Sequence, residues 1–101
     1  MDFRIIKSPS AGALNILLRR KGSGKATIEE PVDAVGLIQG KMIDMVVAAD
    51  IAEKSVGVVV EDIKGNCPQN MILLAIMGDT ASVESAMAEI KFKLKEGHHA
   101  C

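Results

Sequence analysis

The sequence predicts an α/β sandwich of the ferredoxin-like class, a single mixed or antiparallel sheet of four strands covered by three helices. Two observations carry this expectation. Short apolar runs rich in β-branched residues alternate with segments whose apolar residues recur every three or four positions, in the order β-α-loop-β-α-β-β-α. In addition, the runs Val56 to Ile63 and Met71 to Met77 are separated only by Lys64-Gly65-Asn66-Cys67-Pro68-Gln69-Asn70, a turn-forming stretch that makes them a hairpin. With 101 residues the chain is one domain, able to bury roughly two-thirds of its unfolded surface.

The first strand is expected at Phe3 to Lys7, stopped by Ser8-Pro9-Ser10. Ser10 then caps a helix from Ala11 to Lys21, with Ala11, Leu14, Leu17 and Leu18 on one face. Arg19, Arg20 and Lys21 in its last turn suit the helix dipole, and Gly22 ends it. Gly22 to Pro31 is polar, without periodicity, and reads as a loop. Its Gly22-Ser23-Gly24-Lys25 lacks the first glycine and the preceding strand of a phosphate loop. Val32 to Gln39 is expected as a strand ending at Gly40. A helix from Lys41 to Ser55 follows, with Ile43, Val46, Val47 and Ile51 on its buried face. After the hairpin, Asp79 or Thr80 caps a long helix in which Val83, Met87, Ile90 and Leu94 form the apolar stripe; Gly97 closes it.

Composition excludes several classes of function. The net charge of −1 gives no broad attraction to nucleic acid. Phe3 and Phe92 are the only aromatic residues, so no platform exists for stacking bases. No apolar run approaches the ~20 residues needed to span a membrane. Met1-Asp2-Phe3-Arg4 does not read as a secretory signal, and two cysteines far apart make no disulfide framework. The expected location is therefore cytosolic. No Ser/His/Asp, Cys/His or paired-carboxylate arrangement emerges, so the chain is not read as an enzyme. His98-His99-Ala100-Cys101 contains metal-ligand residue types but reads as a frayed tail or an appended scar.

The hairpin tip holds Cys67, the one mid-chain cysteine. Pro68 biases Cys67 toward an extended backbone, which makes the tip stiffer than a glycine loop. On turn chemistry alone, a surface hairpin with an incidental thiol and a functional ligand both remain open. One thiol cannot hold a cluster that needs about four ligands. As a ligand, Cys67 requires copies from several subunits to converge.

From Ala34 onward three motifs occur in order. Val35-Gly36-Leu37-Ile38 leads into Ala48-Ala49-Asp50-Ile51-Ala52-Glu53-Lys54, and after the hairpin comes Gly78-Asp79-Thr80-Ala81-Ser82-Val83-Glu84-Ser85-Ala86. Together they resemble the shell proteins of bacterial microcompartments. That family has a Gly-Met-Ile-like first strand, an Ala-Ala-Asp-x-x-x-Lys helix and a Gly-Asp-x-x-x-Val-x-x-Ala helix start. Its closing strand and small helix normally come last. Here Ile5-Ile6-Lys7-Ser8-Pro9 and the helix after it look like that piece moved to the front. The chain thus resembles the circularly permuted branch, with residues 1–21 relocated, 22–31 as the new join, 32–97 as the main body and 98–101 as a tail.

The resemblance implies a four-stranded antiparallel sheet and a cyclic hexamer that tiles into a cytoplasmic microcompartment shell with other shell proteins. Lys54 matches the edge lysine through which neighbouring rings meet. Ser8 stands where the family has an edge arginine, which points to a specialised shell component. Lys64, Gly65, Asn66, Cys67, Pro68 and Gln69 match the pore loop around the ring axis. A Cys-Pro there resembles the iron–sulfur-binding shell proteins of glycyl-radical-enzyme microcompartments. The implied cofactor is an iron–sulfur cluster of the 4Fe–4S kind, shared between subunits through Cys67, with electron transfer or cluster delivery across the shell and encapsulated redox enzymes as partners. Backbone N–H groups of Gly65, Asn66 and Gln69 could donate to its sulfurs and tune its potential. Two other readings are a cytosolic ferredoxin-like module that senses a small molecule, and a metal-free structural tile.

Overall fold

The computed structural model describes residues 1–20, 32–63 and 71–95. Its elements are β1 (Asp2–Lys7), α1 (Ala11–Arg20), β2 (Ala34–Lys41), α2 (Met42–Glu53), β3 (Val58–Ile63), β4 (Met71–Gly78) and α3 (Thr80–Lys95). The strands form one four-stranded sheet in the order β1-β2-β4-β3, with antiparallel pairing throughout. Strands β2 and β3 both run against β4, which lies between them, so β2-α2-β3 is a split βαβ unit.

Strand position explains strand composition. The central strands, AVGLIQGK and MILLAIMG, are near-continuous apolar runs because helices cover both faces of the sheet there. The edge strands, DFRIIK and VVVEDI, mix charged with apolar residues. On one face α2 and α3 pack over Ala34, Ile38, Leu74 and Ile76. On the other, α1 places Leu17 near Val35, Ile63, Ala75 and Met77.

The stripe expected on α3 is the one buried: Val83, Met87 and Ile90 lie in the core, with Leu94 packed against it. Asp79, not Thr80, caps this helix, accepting a hydrogen bond from the Ser82 N–H at 3.1 Å. Ser10 caps α1 as expected, its Oγ accepting from the Ala13 N–H at 3.1 Å.

Helix α2 corrects the sequence reading. Met45, Ala48, Ile51 and Ala52 face the core, whereas Ile43 and Val46 are 74% and 62% exposed. Its residues are apolar on nearly every side, so periodicity has no polar face to contrast with. The small Ala48 and Ala52 settle the orientation by fitting beneath the helix. The ends also shift. Strand β2 runs through Gly40 to Lys41 because both pair with β4, at Ile72 and Met71. Strand β3 begins at Val58, two residues later than expected, because Gly57 turns the chain with φ +87°.

Candidate functional site

The sheet has two chemically different ends. At one end Ile63 pairs with Leu73, Met71 pairs with Lys41, and Asp2 pairs with Gln39. Strand β3 ends and β4 begins at this end, where α2 and β1 also start. Lys64, Gly65, Asn66, Cys67, Pro68 and Gln69 themselves lie outside the described residues, as do the join at 22–31 and the tail at 98–101. Among the described residues, no group of three or more His, Cys, Asp or Glu is placed to hold a metal ion.

Lys54 stands at the other end. It is the C-cap of α2, its N–H donating to the Asp50 carbonyl at 3.2 Å while the next N–H, that of Ser55, donates to the Ala52 carbonyl at 3.0 Å. Its Nζ lies 2.9 Å from Asp50 Oδ2, an exposed i,i+4 pair worth about 0.3–0.5 kcal/mol. At the same end, Lys7 pairs with Ala34, which pairs with Gly78 on its other side. Ser8 follows with φ +50°, its N–H donating to the Asp33 carbonyl at 2.8 Å. The Asp33 N–H in turn donates to the Gly78 carbonyl at 3.1 Å. Ser8 and Lys54 therefore share one end of the molecule, separated from the 64–70 end by the length of α2, about 18 Å for 12 residues.

Two surfaces escaped the sequence reading. One is the exposed apolar face of α2, which periodicity assigned to the core. The other is a groove of ≈ 450 Å³ between edge strand β1 and helix α3, lined by Phe3, Arg4, Ile5, Met87 and Lys91 among others. The Lys91 ammonium sits 5.3 Å from the centre of the Phe3 ring, and Lys7 pairs with Glu84 at 3.1 Å. Nothing in the sequence signals this groove, because it exists only once β1 lies beside β2.

The carboxyl of Asp79 is held below its ordinary range by hydrogen bonds from the Ser82 side chain and backbone. It is a helix cap rather than part of a chemical constellation.

The fold and sequence recur together in solved structures. The ligand-free GrpU microcompartment shell protein from Clostridiales bacterium 1_7_47FAA is 58% identical, over 96% of this chain and 95% of that one, with a TM-score of 0.75. The chain belongs to the microcompartment shell proteins. The ligand-free GrpU shell protein from Pectobacterium wasabiae is 37% identical, over 89% of this chain and 99% of that one, with a TM-score of 0.73. No protein-family model matches the chain, nor does any curated protein.

Membership makes the chain a structural shell component and gives it other shell proteins as neighbours in a cytoplasmic microcompartment. Among the described residues, no helix is long and apolar enough to cross a membrane.

Proposed function

We propose that this shell protein forms a cyclic hexamer whose axial loop, residues 64–70, binds an iron–sulfur cluster through Cys67 and passes electrons or clusters across the shell. The observation that carries the reading is the placement of Lys54 and segment 64–70 at opposite ends of the sheet. A wedge in a ring needs its axial loop at one end and its rim contacts at the other. Lys54 then sits at the rim, with Ser8, at the same end of the sheet, in place of the edge arginine.

The donor chemistry supports a shared site. Each chain brings one mid-chain thiol, too few for a cluster of about four thiolate ligands, and rotational symmetry multiplies it. Six copies exceed what one cubane takes, so some thiols stay unligated. Pro68 restricts Cys67 in each copy. When bound, the cluster supplies a one-electron redox centre; the chain supplies thiolates and backbone donors from Gly65, Asn66 and Gln69.

The strand order supports a circular permutation. Read from β2, the elements run β2-α2-β3-β4-α3, and β1 occupies the edge beside β2 that the last strand of a βαββαβ chain takes. Residues 22–31 are then the new join.

The test is anaerobic reconstitution with iron and sulfide, followed by light scattering, iron analysis and visible absorbance. The expected result is a hexamer with iron and colour that Cys67→Ser abolishes while the ring persists. Equal iron in Cys67→Ser and the parent leaves a metal-free tile. A monomer under native conditions removes both the pore and the shared site, and a dimer favours the small-molecule sensor.

A further inference from the structure

We propose that helix α1 is a strap that undocks and unfolds by itself, uncovering one face of the sheet while the strands and the α2–α3 layer stay folded. The device lies within one chain and is independent of the ring and cluster readings. The two helical layers are held very differently. Among the described residues, α2 and α3 each bury four side chains, among them Met45, Ile51, Val83 and Ile90. Helix α1 buries Leu17 alone. Leu14 is half-buried beside the same cluster, and Ile16 is 49% exposed.

Polar links follow the same division. Helix α3 is tied to β1 by the Lys7–Glu84 ion pair and by the Lys91 ammonium over the Phe3 ring. The hydrogen bonds of α1 stay within the helix and its cap. Ser10 accepts from the N–H groups of Ala13 and Leu14, and Arg19 Nε donates to the Asn15 carbonyl at 3.3 Å. Among the described residues, no hydrogen bond or ion pair joins α1 to a strand. The helix has 10 residues, and helices shorter than about 12–15 residues are marginal in water without packing. Gly12 weakens it further. Release of Leu17 therefore melts the helix as it undocks.

The strap has a defined boundary. Strand β1 stays paired with β2 as far as Lys7, opposite Ala34. The next residue, Ser8, is held by its N–H on the Asp33 carbonyl at 2.8 Å, with φ +50°. Pro9 has no N–H to give up. The chain is thus anchored up to Ser8 and peels from Pro9 onward, with β1 still in the sheet. Opening lifts Leu17 from Val35, Ile63, Ala75 and Met77, an apolar strip across β2, β3 and β4. The opposite face keeps α2 and α3 in place. Segments with few buried apolar contacts open in this way at a small fraction of the cost of global unfolding.

The test is native-state hydrogen exchange of the intact protein, resolved by residue, in the parent, Leu17→Ala, Ile90→Val and Ile38→Val. In the parent, α1 amides should be protected at least a hundredfold less than those of β2, β4 and residues 83–90 of α3. Leu17→Ala should lower α1 protection at least tenfold further. The two core variants separate independent from global opening. Each removes one methylene from a side chain with 0% exposure, and each should speed exchange of the β2 and β4 amides about two- to tenfold. Exchange of α1 should stay at the parent rate in both. One variant trims a helix and the other a strand, so the result does not depend on a single substitution. Equal acceleration of α1 and the core amides would mean that α1 opens only with the whole domain, and it overturns the proposal. Parent α1 amides as slow as those of β4, or α1 protection unchanged in Leu17→Ala, overturn it as well.

Discussion

Lys41, the last residue of β2, pairs across the sheet with Met71, the first residue of β4, so α2 starts at the same end of the sheet as β4. Because α2 then runs the length of the domain, its C-cap Lys54 is carried to the opposite end. In the proposed ring, one strand pairing thereby separates the axial end from the rim. For Lys54→Ala, the expected outcome is weaker ring-to-ring sheet formation by electron microscopy, with the hexamer intact by light scattering. The ion pair with Asp50 is exposed on both sides, 70% and 44%, so fold stability should change by only about 0–1 kcal/mol. Dissociation of the ring itself would place Lys54 in a different interface.

Gly78 ends β4 directly against the carbonyl of Gly57, so a Cβ on Gly78 collides with backbone rather than with a side chain that can swing aside. Gly57 itself holds φ +87°, which an L side chain adopts only with strain. Gly78→Ala is expected to destabilise the fold by about 1–3 kcal/mol, the usual cost of overpacking. Gly12→Ala is the contrasting case. Its nearest neighbour is Ser10 Oγ at 4.0 Å, and it lies within α1. That substitution should stabilise by about 0.5–1 kcal/mol. Urea midpoints of the two variants, read against the parent, should move in opposite directions.

These glycines show what was legible in the sequence. Gly57 and Gly78 punctuate two apolar runs, and that punctuation is a local property a reader can see. The stripe of Val83, Met87 and Ile90 was legible for the same reason, because exposed Glu84, Glu89 and Lys91 lie on other sides of α3. In α2 the contrast is missing. Its exposed face carries Met42, Ile43 and Val46, a surface as apolar as the core, so pattern alone places Ile51 and Val47 correctly but puts Ile43 and Val46 on the buried side with them. The end of β2 was misplaced because a pairing partner thirty residues away outweighed the local stop at Gly40. The groove was invisible because its walls, β1 and α3, are distant in sequence. Cys67 was legible as a candidate through its neighbours Gly65 and Pro68, and the role proposed for it rests on symmetry that one chain does not display.

Asp79 gives a pH prediction with a definite sign. Hydrogen bonds from the Ser82 side chain and backbone lower its pKa from the ordinary 3.8. A carboxylate with a depressed folded-state pKa contributes its full stability above the unfolded value and loses it as pH falls through the folded value. Melting temperatures of the parent and Asp79→Ala should therefore differ at pH 7, with the parent higher. The gap should narrow only below the ordinary carboxylate pKa. A gap that already closes between pH 5 and 7 would mean that the charge on Asp79 is not what caps α3.

Pro68 and Cys101 separate a stiff axial site from a fortuitous one. In the proposed ring, Cys67 holds the cluster because its backbone is restricted by Pro68 and because symmetry brings copies together. Pro68→Ala should keep iron at the first reconstitution but lose it faster during anaerobic dialysis, since a looser loop holds its thiolates less firmly. Cys101→Ser should match the parent in iron per ring and in absorbance, because the proposed site draws its thiolates from Cys67. The informative quantity is iron per hexamer in the parent and these two variants, followed over time. Iron lost in Cys101→Ser but retained indefinitely in Pro68→Ala would move the site from the hairpin to the tail.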